Sequence, residues 1–411
     1  MSGSNGAHQS MRTRANAHFG FIDQLRGVAI LLVLLCHCTL SFPLAFSFDL
    51  YDPLRFLGQV FAGKISPVEV IDFLCFYPCR AGWSGVAVFF VVSGFCIHLS
   101  YSQSGKPDLT GFYIRRFFRI YPAFFLAVLV FGLWFPYSRL DFDQWQNWVR
   151  LFAHLFLCNN LSELLVGISA AYWTIPVEAQ LYLLFPVLLW LVHRYSFARA
   201  LWIVGIIQFS LQITTALAFG LYRLPPFWLT ASPLYYWFSW SIGAAVCDSY
   251  LKGKPSPLRN VSPWLWLIAG VATSGFAAHE FSFAFFALAT ASLIARRLSS
   301  KSIQESPSLF GRFLRVTGTY SYSIYLIHQP IIVAVTATYK QAFAGLENNR
   351  WAMFFAALSS WLIIFPVAAV LYYLVERPSI SLGKHLLRAF SQRLNQRSFG
   401  AIARPANVLS K

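Results

Sequence analysis

Apolar and polar positions alternate along this chain in blocks rather than singly. Runs of about 20 mostly apolar residues, long enough to cross bilayer hydrocarbon as helices, recur at 21–42, 82–101, 121–137, 172–192, 199–219, 232–250, 262–279, 281–296, 318–339 and 352–375. The polar stretches between them are short, and none holds a soluble domain of about 100 residues. The gap near 145–160 has room for a re-entrant helix. No internal repeat or low-complexity tract interrupts the pattern. It predicts an all-α, polytopic membrane protein with about ten transmembrane helices. A polar segment at 1–20 is expected to be disordered, residues 21–376 to form the membrane domain, and 377–411 a basic tail.

Composition sharpens this. The chain is 57% hydrophobic and 11% charged, against roughly 25% charged residues in soluble domains, and its mean hydropathy is +0.56. A net charge of +17 would suggest nucleic acid in a soluble protein, but its placement argues otherwise. With the amino end in the cytoplasm and sides alternating, 23 of the 32 Lys and Arg fall in cytoplasmic segments and eight outside, with Arg26 left inside the first span. That bias is the positive-inside rule; it supports an even number of spans with both termini cytoplasmic and makes nucleic acid no partner. No small-residue cleavage site follows the first run, so it is expected to stay as a signal anchor. The tail near Leu382 to Leu394 fits either an amphipathic helix on anionic lipid or a solvated tail.

Ionisable residues inside the spans are costly in lipid and so carry information. Arg26 and His37 share the first span; at 100° and 1.5 Å per residue they lie about 20° apart in azimuth and roughly 16 Å apart along the axis. They cannot touch but can line one wall of a cavity. The plainer alternative is a snorkelling arginine and a histidine bonded to a carbonyl. His37 stands between two cysteines in "LLCHCTL", yet Cys36, His37 and Cys38 point about 100° apart in succession and cannot converge on one metal ion or close a disulfide. No metal is expected. Cys75 and Cys79 in "CFYPC" could be bridged or free.

Further polar groups recur along the chain. "GWSGVAVFFVVSGFCIHLSY" places glycines for close helix packing and His98 near the cytoplasmic end. In "FYIRRFFRIYP", Arg115 and Arg116 stand four and three residues before Arg119, a spacing that gathers cations on one side of a helix, for lipid phosphate or for the phosphates of a cofactor. Glu178 lies within the fourth run and His328 within the ninth, beside Ser321, Tyr322, Ser323 and Tyr325. Either could bond a neighbouring helix or shape a polar interior.

These residues carry a resemblance. "DQLRGVAILLVLLCH" is similar to the opening Asp-x-Leu-Arg-Gly helix of the membrane-bound acyltransferase 3 family, in which ten residues separate arginine from histidine. "FFVVSGFCI", "RRFFRIYP", "YWTIPVEAQLYLLFP", "YSYSIYLIHQP" and "ERP" resemble its later motifs in order, across residues 21 to 378. Ala179 departs from the second acid common in the family, and Leu181 from an aromatic. The chain is expected to lack the hydrolase-like domain that some members append, and any acceptor to be acylated by the membrane part or by another protein.

The resemblance implies transfer of an acyl group, usually acetyl, from cytosolic acetyl-CoA to a hydroxyl of a sugar or polysaccharide at a bacterial inner membrane. It assigns His37 and Arg26 to catalysis, Arg115, Arg116 and Arg119 to the acyl-CoA phosphates, and Asp23, Glu178, Tyr182, His328 and Glu376 to supporting roles. Acyl-CoA, a saccharide acceptor and membrane lipid are the expected partners. The alternatives are a transporter or flippase for a lipid-linked or acidic sugar, and the same fold using succinyl-CoA. Aromatics and acids in segments 43–81 and 138–171 (Asp49, Asp52, Asp72, Asp141, Asp143 and Glu163) suit sugar recognition or an ordinary interfacial belt.

Overall fold

The computed structural model describes residues 19–41, 53–103, 108–219, 225–274, 279–300, 308–343, 345 and 348–402. The expectations for most of the amino-terminal segment, for the last nine residues, and for Asp49 and Asp52 lie outside the described residues. Within them every regular element is helical. The longer helices are α1 (Gly20–Leu40), α2 (Pro67–Arg80), α3 (Gly85–Ser102), α4 (Leu109–Leu129), α5 (Trp145–Leu155), α6 (Thr174–Arg194), α7 (Phe197–Phe219) and α8 (Trp237–Leu251). They continue with α9 (Pro263–Thr273), α10 (His279–Ser299), α11 (Leu309–Thr319), α12 (Ser321–Ala342), α13 (Arg350–Ser359), α14 (Trp361–Leu371) and α15 (Arg377–Ile402).

Among the described residues seven segments are long and apolar enough to cross a membrane: Gly20–Leu40, Pro67–Ser102, Leu109–Trp134, Ala170–Arg194, Phe197–Phe219, Glu280–Ser299 and Arg350–Phe390. The other three of the ten expected spans fall on different kinds of helix. α8 has 15 residues and α9 has 11. α12 has 22 but carries Ser321, Ser323, His328, Gln329 and Thr336. Large apolar side chains such as Trp202, Leu217 and Leu362 are exposed on the outside of the bundle, as expected where lipid rather than water is the neighbour. The chain is a multi-pass membrane protein.

Helix ends follow local chemistry. α2 begins with a capping box, in which Ser66 Oγ accepts from Glu69 N and Glu69 Oε2 accepts from Ser66 N. α4 begins at Asp108, whose carboxylate accepts from Gly111 N. The gap at 145–160 holds α5, 11 residues long and so only about 16 Å, too short to cross. It is amphipathic in an inverted sense, burying Asn147 and His154 and exposing Trp145, Trp148 and Phe152. The tail is helical to Ile402, and Gly383 packs against Phe118 of α4.

Two reciprocal glycine contacts bring the polar helices together. A Cβ on Gly27 would strike the backbone oxygen of Leu314, and one on Gly318 that of Asp23, so α1 and α11 touch backbone to backbone. Likewise Gly94 lies against the Trp240 oxygen and Gly243 against the Val91 oxygen, fixing α3 on α8. Small residues supply such close crossings in membranes, where no hydrophobic force separates helix from lipid.

Candidate functional site

The α3–α8 crossing leaves Ser93 beside Trp240 and opposite α6. Trp240 Nε1 donates to Ser93 Oγ at 3.3 Å, and Ser93 Oγ donates to Glu178 Oε1 at 2.7 Å. One turn along α6, Tyr182 also donates to Glu178 Oε1, at 2.5 Å. Two hydroxyls, one from α3 and one from α6, thus aim hydrogens at one carboxylate in the bundle interior, with Trp240 of α8 backing Ser93, which relieves the cost of burying it. Beside this network lies a cavity of about 90 Å³ walled by Arg26, Arg116, Arg119, Glu178, Tyr182 and Tyr325, among others. That is room for several waters or a small acyl group.

Arg26 is held on both sides. Its Nη1 donates to Asp23 Oδ1 at 3.2 Å, one turn earlier on α1, and its Nη2 to Cys96 Sγ at 3.4 Å; Glu178 is within Coulombic reach. Glu376, buried where the last long helix passes through a π-turn, accepts from Ser323 Oγ at 2.8 Å and feels Arg119 and Arg26. Of the three clustered arginines, Arg116 and Arg119 reach the cavity. Arg115 turns to Asp108 at 3.7 Å, because the residue that caps α4 also offers it a carboxylate.

The histidines form a second polar region. His37 and His328 meet edge to face, with ring centroids 4.7 Å apart and planes at 83°. His37 Nδ1 lies 2.9 Å from Val33 O and His328 Nδ1 2.8 Å from Tyr325 O. A carbonyl oxygen only accepts, so in each ring Nδ1 carries the hydrogen, and in the neutral form Nε2 is a bare lone pair. His328 is fully buried and its Nε2 has no hydrogen-bond partner among the described residues. His37 is partly exposed.

Tyr325 stands between the two regions. Its ring lines the cavity and lies 5.4 Å from that of His328. Its hydroxyl donates to Ala171 O at 2.5 Å and lies 2.6 Å from Thr174 Oγ1. Gln329 Oε1, accepting from Ser169 Oγ and Ala171 N, ties α12 to the same stretch.

By sequence, Arg26 and His37 could line one wall of a cavity, or be a snorkelling arginine and a histidine bonded to a carbonyl. The structure brings Arg26 together with Arg116, Arg119, Glu178 and Tyr182, whereas His37 is not among the residues lining that cavity and pairs with His328 instead. Ser93, Cys96, Trp240 and the Tyr325–Thr174 wall went unrecognised as site residues. Ser93 and Cys96 lie inside "FFVVSGFCI", Thr174 inside "YWTIPVEAQLYLLFP" and Tyr325 inside "YSYSIYLIHQP", motifs that marked the neighbourhood without singling these residues out as part of the site, whereas Trp240 was signalled only by the Ser239, Ser241, Gly243 stripe around it. Cys36 and Cys38 are buried free thiols, and Cys75 and Cys79 are also unbridged. Among the described residues no three His, Cys, Asp or Glu side chains converge as a metal site.

Residues 19–373 match the model of the acyltransferase 3 family, described as an acyltransferase domain. A Staphylococcus aureus protein named O-acetyltransferase OatA is 27% identical over 300 residues, covering 63% of this chain and 47% of its own length. A protein of Acidianus two-tailed virus, ORF330, whose name marks it as a suspected acetyltransferase, is 31% identical over 179 residues, 41% of this chain and 48% of its own. An uncharacterised Haemophilus influenzae protein is 32% identical over 144 residues, 31% of this chain and 58% of its own. The chain thus spans about half the length of these relatives. No solved structure matches it. The family match runs from the residue before α1 through α14 and so encloses the cavity, the histidine pair and the tyrosine between them: the chain belongs to the acyltransferase 3 family.

Proposed function

We propose that the protein is a membrane O-acyltransferase of a bacterial inner membrane, moving an acetyl group from cytosolic acetyl-CoA to a hydroxyl of a sugar in a surface or exported glycan. One observation carries this reading: a cavity holding three arginines abuts, through Tyr325, a pair of histidines with unprotonated nitrogens. Arginines suit a phosphorylated donor, and a bare imidazole nitrogen suits a hydroxyl about to lose its proton.

In this reading Arg116 and Arg119 hold donor phosphates near the cavity, with Arg115 at its outer side. Arg26, fixed by Asp23 and Cys96, holds the phosphate or pantetheine end of the donor in the cavity. His37 Nε2 takes the hydroxyl proton while the oxygen attacks the acyl carbon. The carbon–sulfur bond then breaks, and the departing thiolate takes up the proton that His37 received, which returns the imidazole to its neutral form. Glu178, Tyr182 and Glu376 keep the cavity's charges paired, and His328 orients His37.

The test is thiol release from acetyl-CoA by the full chain in proteoliposomes, with release read on the acetyl-CoA side. Wild type releases thiol, and His37→Ala and Arg26→Ala do not. Undiminished acceptor modification in cells carrying His37→Ala would sink the mechanism. Mass profiling of surface glycans in a deletion strain then reports acceptor and acyl group together, an increment of succinyl rather than acetyl size identifying the larger donor.

A further inference from the structure

A second basic feature lies away from the cavity. Between the carboxyl ends of α8 and α10 runs a groove of about 340 Å³, lined by Tyr250, Lys254, Ser256, Arg259 and Ser299, among others. Its floor is built by the sequence between the two helices. α8 closes with Gly253 at φ +68°, where Gly253 N bonds Tyr250 O and Lys254 N reaches back to Ser249 O. This is a Schellman turn, and its left-handed residue has to be glycine or pay strain. The chain then runs to Arg259, whose carbonyl accepts from Arg296 Nε of α10 at 2.9 Å.

The charges are one-sided. Among the described residues no acid lines the groove. Asp248, in the last turn of α8, is already shared between Lys252 Nζ at 2.8 Å and His98 Nε2 at 3.5 Å. Lys254 and Arg259 have no ion-pair partner among the described residues, and Arg297 ends the same helix as Arg296. A helix carboxyl terminus favours cations near it, but two helix ends do not require a concave groove that also carries hydroxyls. Four residues beyond Arg259 begins α9, whose Trp264, Leu265 and Ile268 are exposed. A ligand here meets cations at its head and an apolar, lipid-facing helix at its flank.

We propose that this groove binds the headgroup of an anionic phospholipid, the phosphodiester seated between Lys254 and Arg259 and the acyl chains lying along α9. Charge complementarity and the adjoining apolar face select a lipid over a free anion. The site is independent of the acyl-transfer reading.

The experiment is native mass spectrometry of the full chain in detergent, titrated with phosphatidylglycerol or phosphatidylcholine. Wild type is expected to retain phosphatidylglycerol, with the Lys254→Gln/Arg259→Gln variant binding it about tenfold more weakly and phosphatidylcholine binding equally weakly to both. A Lys384→Gln/Arg388→Gln variant, altered only on the exposed face of α15, should bind as wild type does. Equal retention by wild type and the groove variant overturns the proposal, as does an equal loss in the tail variant, which would mean diffuse attraction. Displacement of the lipid by inorganic phosphate would make this a free-anion site and overturn it too. Each single substitution, checked by melting temperature, carries the same expectation should the double variant fold poorly.

Discussion

The two polar regions of the bundle are built on opposite principles. In the cavity most of the polar groups named above are held by partners, although Arg116 Nε is buried without a hydrogen-bond partner among the described residues: Glu178 accepts from two hydroxyls, Arg26 is held by Asp23 and Cys96, and Glu376 by Ser323. At the histidine pair both Nδ1 hydrogens go to backbone, and His328 Nε2 is buried with no donor to it among the described residues. A buried acceptor without a donor costs about 1–3 kcal/mol. In the proposed reading the first region holds the charged donor in place, and the second is left short of a hydrogen. A site that binds one substrate and deprotonates another needs both conditions, and they are easier to keep apart than to combine.

Breaking each region should therefore leave different kinetic signatures. The largest effect is expected from His37→Ala: turnover falls by about 10²–10⁴-fold with little change in KM for acetyl-CoA, measured by initial-rate thiol release. A similar rise in KM would merge the two regions and undo the distinction. Gly94→Val should act on the cavity side through packing, since its side chain meets the Trp240 backbone oxygen and drives α3 from α8. A loss on the order of 3 kcal/mol, read as a lower melting temperature in detergent, is expected.

Arg116→Gln should raise KM for acetyl-CoA about tenfold with turnover nearly kept, whereas Arg115→Gln, which gives up only a half-exposed pair with Asp108, should change it by less than about twofold. Equal effects would show that the cavity does not choose among the arginines. The smallest effect belongs to Cys36→Ala with Cys38→Ala: activity should stay within about twofold, because each thiol behaves as a small apolar filler. A folded but inactive double variant would return the cysteines to the chemistry.

What the sequence made legible, and what it hid, follows from the range of each interaction. Spacing along one helix placed Arg26 and His37 three turns apart, and the polar residues of α12 were visible as exceptions in an apolar run. The partition between the regions was not visible, because it depends on Tyr325 meeting Ala171 and Thr174, contacts more than 150 residues apart. Arg115 looked equivalent to Arg116 until Asp108, a capping residue, captured it. The expected span at 232–250 is built of a 3-10 turn, Pro233–Tyr236, running into the 15 residues of α8, a division that apolarity alone does not show.

The hydrogen placement on the two imidazoles also restricts what can approach them. A carbonyl or carboxylate oxygen nearing either Nε2 would set lone pair against lone pair, whereas an alcohol, amine or amide N–H would be welcomed. Compounds meant to occupy this end should thus be chosen for the hydrogens they can give, and acidic mimics of the donor should crowd instead toward the arginines. In a protein with this much greasy surface, a screen ranked by apolar contact alone would miss that selectivity entirely.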